Sequence, residues 1–143
     1  LPRAAGPDAG TAAYLPTAAE IRKIAAATDA DYLEDLREAI GSAKRDADGG
    51  GPVILDVRVP EQYALCRLPG TVNFPLRALR RNVDAVLAEL RASSRPVATL
   101  CRRGVFSRDA AGILLGAGFT AVRNVTGGLQ ACATAVDASM PVY

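Results

Sequence analysis

Residues 97–119 read Val-Ala-Thr-Leu-Cys-Arg-Arg-Gly-Val-Phe-Ser-Arg-Asp-Ala-Ala-Gly-Ile-Leu-Leu-Gly-Ala-Gly-Phe. The spacing predicts a strand, a tight loop and a helix. Val97 to Leu100 is a short apolar run that contains β-branched residues and follows Pro96, as a buried strand would. Ala110, Ile113, Leu114 and Ala117 recur at helical spacing. Ser107 is expected to cap that helix and Gly118 to close it. Cys101 then falls where the strand ends and the loop begins.

A loop that wraps from a strand into a helix N-terminus can aim several backbone N–H groups at one point. With the helix dipole behind it, such a nest binds anions. Placed around a cysteine, it favours thiolate over thiol and makes the sulfur a better nucleophile. Arg102, Arg103 and Arg108 add positive charge, and Gly104 gives the backbone the freedom that a tight curl needs. The spacing alone equally allows a strand-end cysteine that packs as a small hydrophobe.

Outward from this stretch the chain alternates between strand and helix patterns. Pro52 precedes Val53-Ile54-Leu55-Asp56-Val57, an apolar strand of the parallel-sheet type. Pro60 and Glu61 then suit a helix first turn. Asp56 and Arg58 stand at the strand's C-terminal end. They read as a surface ion pair or as groups on the edge where α/β sites form. Val72 to Phe74 is a short strand between turn residues. Leu76, Leu79, Val83, Val86, Leu87 and Leu90 predict one amphipathic helix over 76–91, with Arg77, Arg80 and Arg81 on its polar side. Residues 120–125 read as the last strand.

Towards the N-terminus, Thr17 and Glu20 form a capping box that opens a helix, and Leu33, Leu36 and Ile40 align on a second helix over 29–43. Residues 1–16 are rich in Ala, Gly, Pro and Thr and read as a linker or tail. Residues 44–51 are charged, then Gly-rich, and are expected to form an exposed loop.

The 143 residues suffice for one domain with a real core. Net charge is only +2, which gives no general nucleic-acid signal. No apolar run has the length of a membrane-crossing helix, and the start does not resemble a signal peptide. Leu1 in place of Met is read as the start of a fragment or processed piece. Three cysteines make an odd count. That argues against a disulfide framework and for a reducing, cytoplasmic compartment. With no histidine, Ser-His-Asp and Cys-His catalysis and His-based metal sites are excluded. No metal site is expected.

Cys101-Arg102-Arg103-Gly104-Val105-Phe106-Ser107 resembles the active-site loop of the rhodanese superfamily, Cys-x-x-Gly-x-Arg-Ser. Three further segments resemble the same family, in the same order. Asp56-Val57-Arg58-Val59-Pro60-Glu61-Gln62-Tyr63 is similar to its first signature, and residues 66–75 to the segment His-Ile-x-Gly-Ala-x-Asn-Ile-Pro. Residues 126–132 are similar to its Gly-Gly-x-x-Ala-Trp ending, with Cys132 at the Trp position. Phe106 departs from the pattern where many members have the Arg that helps bind thiosulfate. Cys66-Arg67-Leu68-Pro69 and the closing Asp137-x-x-x-Pro141-x-Tyr143 resemble one subgroup. This is the C-terminal rhodanese domain of the molybdopterin-synthase sulfurylase and ubiquitin-related-modifier activating proteins.

The resemblance implies a rhodanese-like α/β domain over residues 17–143, with a central five-stranded parallel sheet flanked by helices on both faces. An insertion is expected around 29–51. The resemblance also implies a sulfurtransferase with a persulfide on Cys101, held by the loop residues 102–107. Asp56 and Arg58 would brace that loop, and Arg108 would contact substrate. Sulfur would come from a cysteine desulfurase or thiosulfate and pass to the adenylylated C-terminus of a ubiquitin-like sulfur carrier, for molybdopterin synthesis or tRNA thiolation. No cofactor is expected in this domain. ATP and zinc would belong to a preceding adenylylating domain, and neither nucleic acid nor membrane is an expected partner. Two alternatives share the fold. A phosphatase needs Cys-x5-Arg, but position 107 is Ser and the Arg comes at 108. A non-catalytic binding module would not need the intact Cys101 and Gly104. Cys66 is expected to be a packed or partly exposed thiol and Cys132 a core cysteine.

Overall fold

The computed structural model describes residues 17–43 and 51–130. The first helices are α1 (Ala18–Ala26) and α2 (Asp29–Ala43). Then come β1 (Val53–Asp56), α3 (Pro60–Leu65), β2 (Val72–Asn73), α4 (Leu76–Arg81) and α5 (Val83–Ser93). β3 (Val97–Leu100), α6 (Val105–Gly116) and β4 (Val122–Asn124) complete the order. The strands form one parallel sheet in the order β2-β1-β3-β4. Four strands are present among the described residues, not five. They are the four that the residue pattern marks; the fifth rested on family resemblance, with no segment of its own.

Alternation along the strands builds two cores, one on each face of the sheet. Val53, Leu55, Val57, Val97 and Cys101 join the larger one, with Tyr32, Leu36 and Ile40 of α2, Phe74, Leu79, Leu87, Leu90 and Leu114. The opposite face carries a small cluster of Cys66, Leu100 and Leu129, with Ile54, Leu68 and Val125 against it. A mainly apolar strand with both faces covered is what a parallel sheet requires. α2 spans the residues that its periodicity marks and packs on α5 and β2.

The predicted helix over 76–91 is two helices. The chain breaks at Asn82, with φ −128° and ψ 29°. The Asn82 side-chain amide donates to the Ala78 carbonyl at 2.8 Å and to Asp29 at 2.9 Å. Arg81 grips the same Asp29 carboxylate with two nitrogens. A side chain that bonds a carbonyl four residues back competes with the helix's own hydrogen bonds. Asp29, on a distant helix, fixes that competition. Arg81 and Asn82 hold the Asp29 carboxyl down at about 2.

The Thr17 capping box forms, with the Glu20 N–H donating to Thr17 Oγ1 at 3.2 Å and the Thr17 N–H to the Glu20 carboxylate at 2.6 Å. Gly118 closes α6 in the left-handed region at φ +96°. The Phe119 N–H reaches back to the Leu114 carbonyl and the Gly118 N–H to the Leu115 carbonyl, a Schellman closure. No helix among the described residues is long and apolar enough to cross a membrane. Residues 1–16 and 44–50, Cys132 and the 135–143 tail lie outside the described residues.

Candidate active site

β1 and β3 are neighbours, and the chain leaves them towards opposite edges of the sheet. Their C-terminal ends are therefore the switch point beyond which sites in open α/β sheets form. Cys101 follows β3 directly, where Leu100 pairs with Asp56 of β1. Its side chain is buried at the mouth of the tight loop 101–104. The loop turns at Gly104, the N-cap of α6, with φ +90°. A Cβ there would meet the Gly127 nitrogen at 2.9 Å, so glycine is needed both for conformation and for space.

No side chain caps α6. The sulfur takes the unpaired N–H groups instead. Gly104 N–H donates to Cys101 Sγ at 3.1 Å and Ser107 N–H at 3.4 Å. Ser107 is therefore not the helix cap that its position suggested. It sits in the first turn, fully buried, with its Oγ 3.2 Å from Cys101 Sγ. The positive end of α6 lies behind this cluster. Burial pushes the Cys101 thiol up. The Ser107 hydroxyl and the N–H groups of Ser107, Arg103 and Gly104 pull it down and prevail, leaving it below its ordinary value.

A second layer holds the loop. Leu129 N–H donates to the Cys101 carbonyl at 2.9 Å, and Gln130 N–H to the Arg102 carbonyl at 3.0 Å. In a trans peptide the C=O and the following N–H point in opposite directions. Pulling these two carbonyls towards the 127–130 turn therefore turns the N–H groups of Arg102 and Arg103 the other way. Thr99 Oγ1 donates to the Ser107 carbonyl at 2.8 Å. Asn124 donates to the Gly104 carbonyl at 3.0 Å and accepts from the Ser107 hydroxyl.

A match to the rhodanese-like domain runs over residues 19–135. The chain belongs to the rhodanese-like family. Its curated relatives include an adenylyltransferase and sulfurtransferase of Zea mays, 35% identical over 113 residues, which make up 77% of this chain and 24% of that protein. One of the same name from Anopheles gambiae is 34% identical over 68% of this chain and 24% of its own length. A chloroplastic rhodanese-like/PpiC domain-containing protein of Arabidopsis thaliana is 36% identical over 63% of this chain and 30% of its own length. The chain thus spans about a quarter of the length of the curated relatives it matches.

In this rhodanese-like domain the residues marked by the sequence fall into three groups. Cys101, Gly104 and Ser107 meet at the sulfur. Arg103 and Arg108 are exposed, Arg102 is half-buried, and Val105 and Phe106 stand out from the first turn of α6, with Phe106 63% exposed. Asp56 and Arg58 are not a surface pair. Both are buried, with Arg58 gripping the carboxylate through Nε and Nη2. Arg58 also donates to the carbonyls of Gln62 and Cys66, at 3.2 and 2.8 Å. Cys66 packs with Leu100, and the Val57 N–H donates to the Leu100 carbonyl one residue before Cys101. The pair thus fixes the corner from β1 to Cys66 against the strand that carries the loop. Cys66 is a buried thiol outside any disulfide, pushed up by that burial.

Sequence reasoning did not mark Thr99 or Asn124. The available signal was an Asn at the C-terminal end of a strand, a poor strand former on the edge where α/β sites form. A cavity of about 330 Å³ lies elsewhere, between α1, α2 and β2, and no residue from 97 to 130 lines it. Among the described residues, no cluster of His, Cys, Asp or Glu could hold a metal ion.

Proposed function

We propose that this domain is a sulfurtransferase that carries sulfane sulfur as a persulfide on Cys101. What supports this reading most is the sulfur's set of donors. Gly104 N–H, Ser107 N–H and Ser107 Oγ converge on Cys101 Sγ at the head of α6. Such a cradle lowers the thiol and stabilises negative charge on sulfur. In the loading step, the Cys101 thiolate attacks the outer sulfur of a donor persulfide. A new S–S bond forms, the donor's S–S bond breaks, and the donor cysteine leaves as thiolate. The outer sulfur then carries the charge beside the loop amides. In the second step it attacks the adenylylated C-terminal carbonyl of a ubiquitin-like carrier and displaces AMP. That leaves an acyl disulfide between the carrier and Cys101. A reducing thiol then attacks the Cys101 sulfur, takes it into a mixed disulfide and releases the carrier as a thiocarboxylate for molybdopterin synthesis or tRNA thiolation. A second thiol frees Cys101. A cysteine desulfurase is the proposed donor, and the adenylylation would occur on a separate domain.

Intact mass after incubation with a persulfide donor tests this. The protein should gain one sulfur, and Cys101→Ala should gain none. Equal labelling of Cys66 or Cys132 would overturn the assignment.

Phe106 bears on the donor. Thiosulfate is a small dianion and needs charge-assisted contacts at the loop rim. Phe106 offers only apolar surface there, whereas an Arg would grip two oxygens. A protein donor brings its own interface to hold the persulfide in place. Wild type is therefore expected to show weak thiosulfate:cyanide activity and competent transfer from a desulfurase persulfide. Phe106→Arg should lower the thiosulfate KM roughly tenfold, as one restored contact of about 1.5 kcal/mol would. If wild type already turns thiosulfate over as well as the variant, the argument for a protein donor loses its basis.

A further inference from the structure

Ser107 has one hydroxyl hydrogen and two neighbours that want it. Its Oγ lies within hydrogen-bond distance of Cys101 Sγ and of Asn124 Oδ1. The Asn124 oxygen can only accept. The amide cannot usefully turn over, because its nitrogen donates to the Gly104 carbonyl at 3.0 Å. Turned over, it would set two carbonyl oxygens against each other at Gly104.

We infer that Asn124 is a positioning residue which draws the Ser107 hydroxyl hydrogen away from Cys101 while the thiol is protonated and so limits how far the cradle favours the thiolate. With a thiol, every hydrogen is used: S–H donates to Ser107 Oγ, and Ser107 donates to Asn124. With a thiolate, the lone pairs of Ser107 would face a negative sulfur. The hydroxyl must then swing to the sulfur, and its bond to Asn124 is lost. Ionisation of Cys101 thus costs one hydrogen bond that exists only because Asn124 stands there. The sulfur keeps more of the intrinsic nucleophilicity that an over-acidic thiol would lose.

The charged and titratable groups on the elements around Cys101 are Arg102 and Arg103 of the loop, Arg108 and Asp109 of α6 and Arg123 of β4. Asp56, Arg58 and Cys66 stand on the β1 side. None changes in the experiment below, so their contributions cancel.

The test is a four-way cycle: wild type, Asn124→Ala, Ser107→Ala and the double variant. The readout is the pH profile of Cys101 alkylation, with Cys66 and Cys132 resolved by peptide mass. Asn124→Ala should lower the apparent pKa of Cys101 by about one unit, because Ser107 is then free to serve the sulfur in both states. In the Ser107→Ala background the same substitution should produce no fall. A rise in both backgrounds would mean that Asn124 merely holds the loop through Gly104. An equal fall in both, or no change in either, would equally overturn the inference. Asn124→Leu, which keeps the volume, serves if the smaller residue fails to fold. The profile reads ionisation of the thiol alone, so its outcome is independent of whether sulfur is the group carried.

Discussion

Gly128→Ala is expected to slow persulfide loading at least about 100-fold while leaving the sheet intact, an effect of the size seen when one donor to a developing anion is lost. Gly128 has φ +59°, and a Cβ there would lie 2.3 Å from the Cys101 carbonyl oxygen and 2.7 Å from the Arg102 carbonyl carbon. All of these are backbone atoms of the loop, so no side chain can swing away. The loop must shift, and the bonds from Leu129 and Gln130 to its carbonyls shift with it. Those bonds set the tilt of the peptide planes, and hence the aim of the N–H groups of Arg102 and Arg103. The left-handed φ adds about 1–2 kcal/mol of strain for alanine. Single-turnover loading followed by intact mass reads the effect. Gly112→Ala is the control, because a Cβ there meets nothing within 4 Å and the position lies within α6. It should load normally and gain a few tenths of a kcal/mol to about 1 kcal/mol of stability. If Gly128→Ala loads at the wild-type rate, the 127–130 turn does not shape the cradle.

What could be read from the sequence follows the range of the forces involved. The bounds of α2, the closure of α6 by Gly118 and the four strands all rest on local period or local turn chemistry, and these are written in neighbouring residues. The break at Asn82 was not legible. Its cause is a hydrogen bond to Asp29, 53 residues away in the chain. Ser107 illustrates the same limit from the other side. Its type and place mark a helix cap, yet the N–H groups it would have served already point at a sulfur that the preceding strand supplies. Asn124 had no local signal beyond being a polar strand end, since its partners Ser107 and Gly104 lie 17 and 20 residues back. Asp56 and Arg58 are only two apart, but whether they face water or the interior depends on how β1, α3 and Cys66 close around them. Residue type alone left that open.

That closure makes the pair the second place where a single substitution should matter greatly. Arg58→Met removes one partner of an ion pair whose side chains are 1% and 0% exposed. The Asp56 carboxylate would remain buried with only the Arg58 backbone N–H, 3.1 Å away, among the contacts that Arg58 now gives it. The carbonyls of Gln62 and Cys66 would lose their guanidinium donor as well. Breaking a buried pair from one side costs about 3–5 kcal/mol, against a total stability of about 5–15 kcal/mol for an ordinary domain. Urea denaturation should show a drop of that size with an unchanged slope. Asp56→Leu with Arg58→Met should recover only part of the loss. It removes the stranded charge but still leaves the two carbonyls unserved, and an unsatisfied buried acceptor costs about 1–3 kcal/mol. Cys101 alkylation in the folded double variant separates stability from bracing. If the pair positions the strand that carries the loop, the Cys101 pKa should rise towards that of an ordinary cysteine even where the protein stays folded. A double variant with the wild-type Cys101 profile would reduce the pair to a stabilising contact with no part in shaping the site.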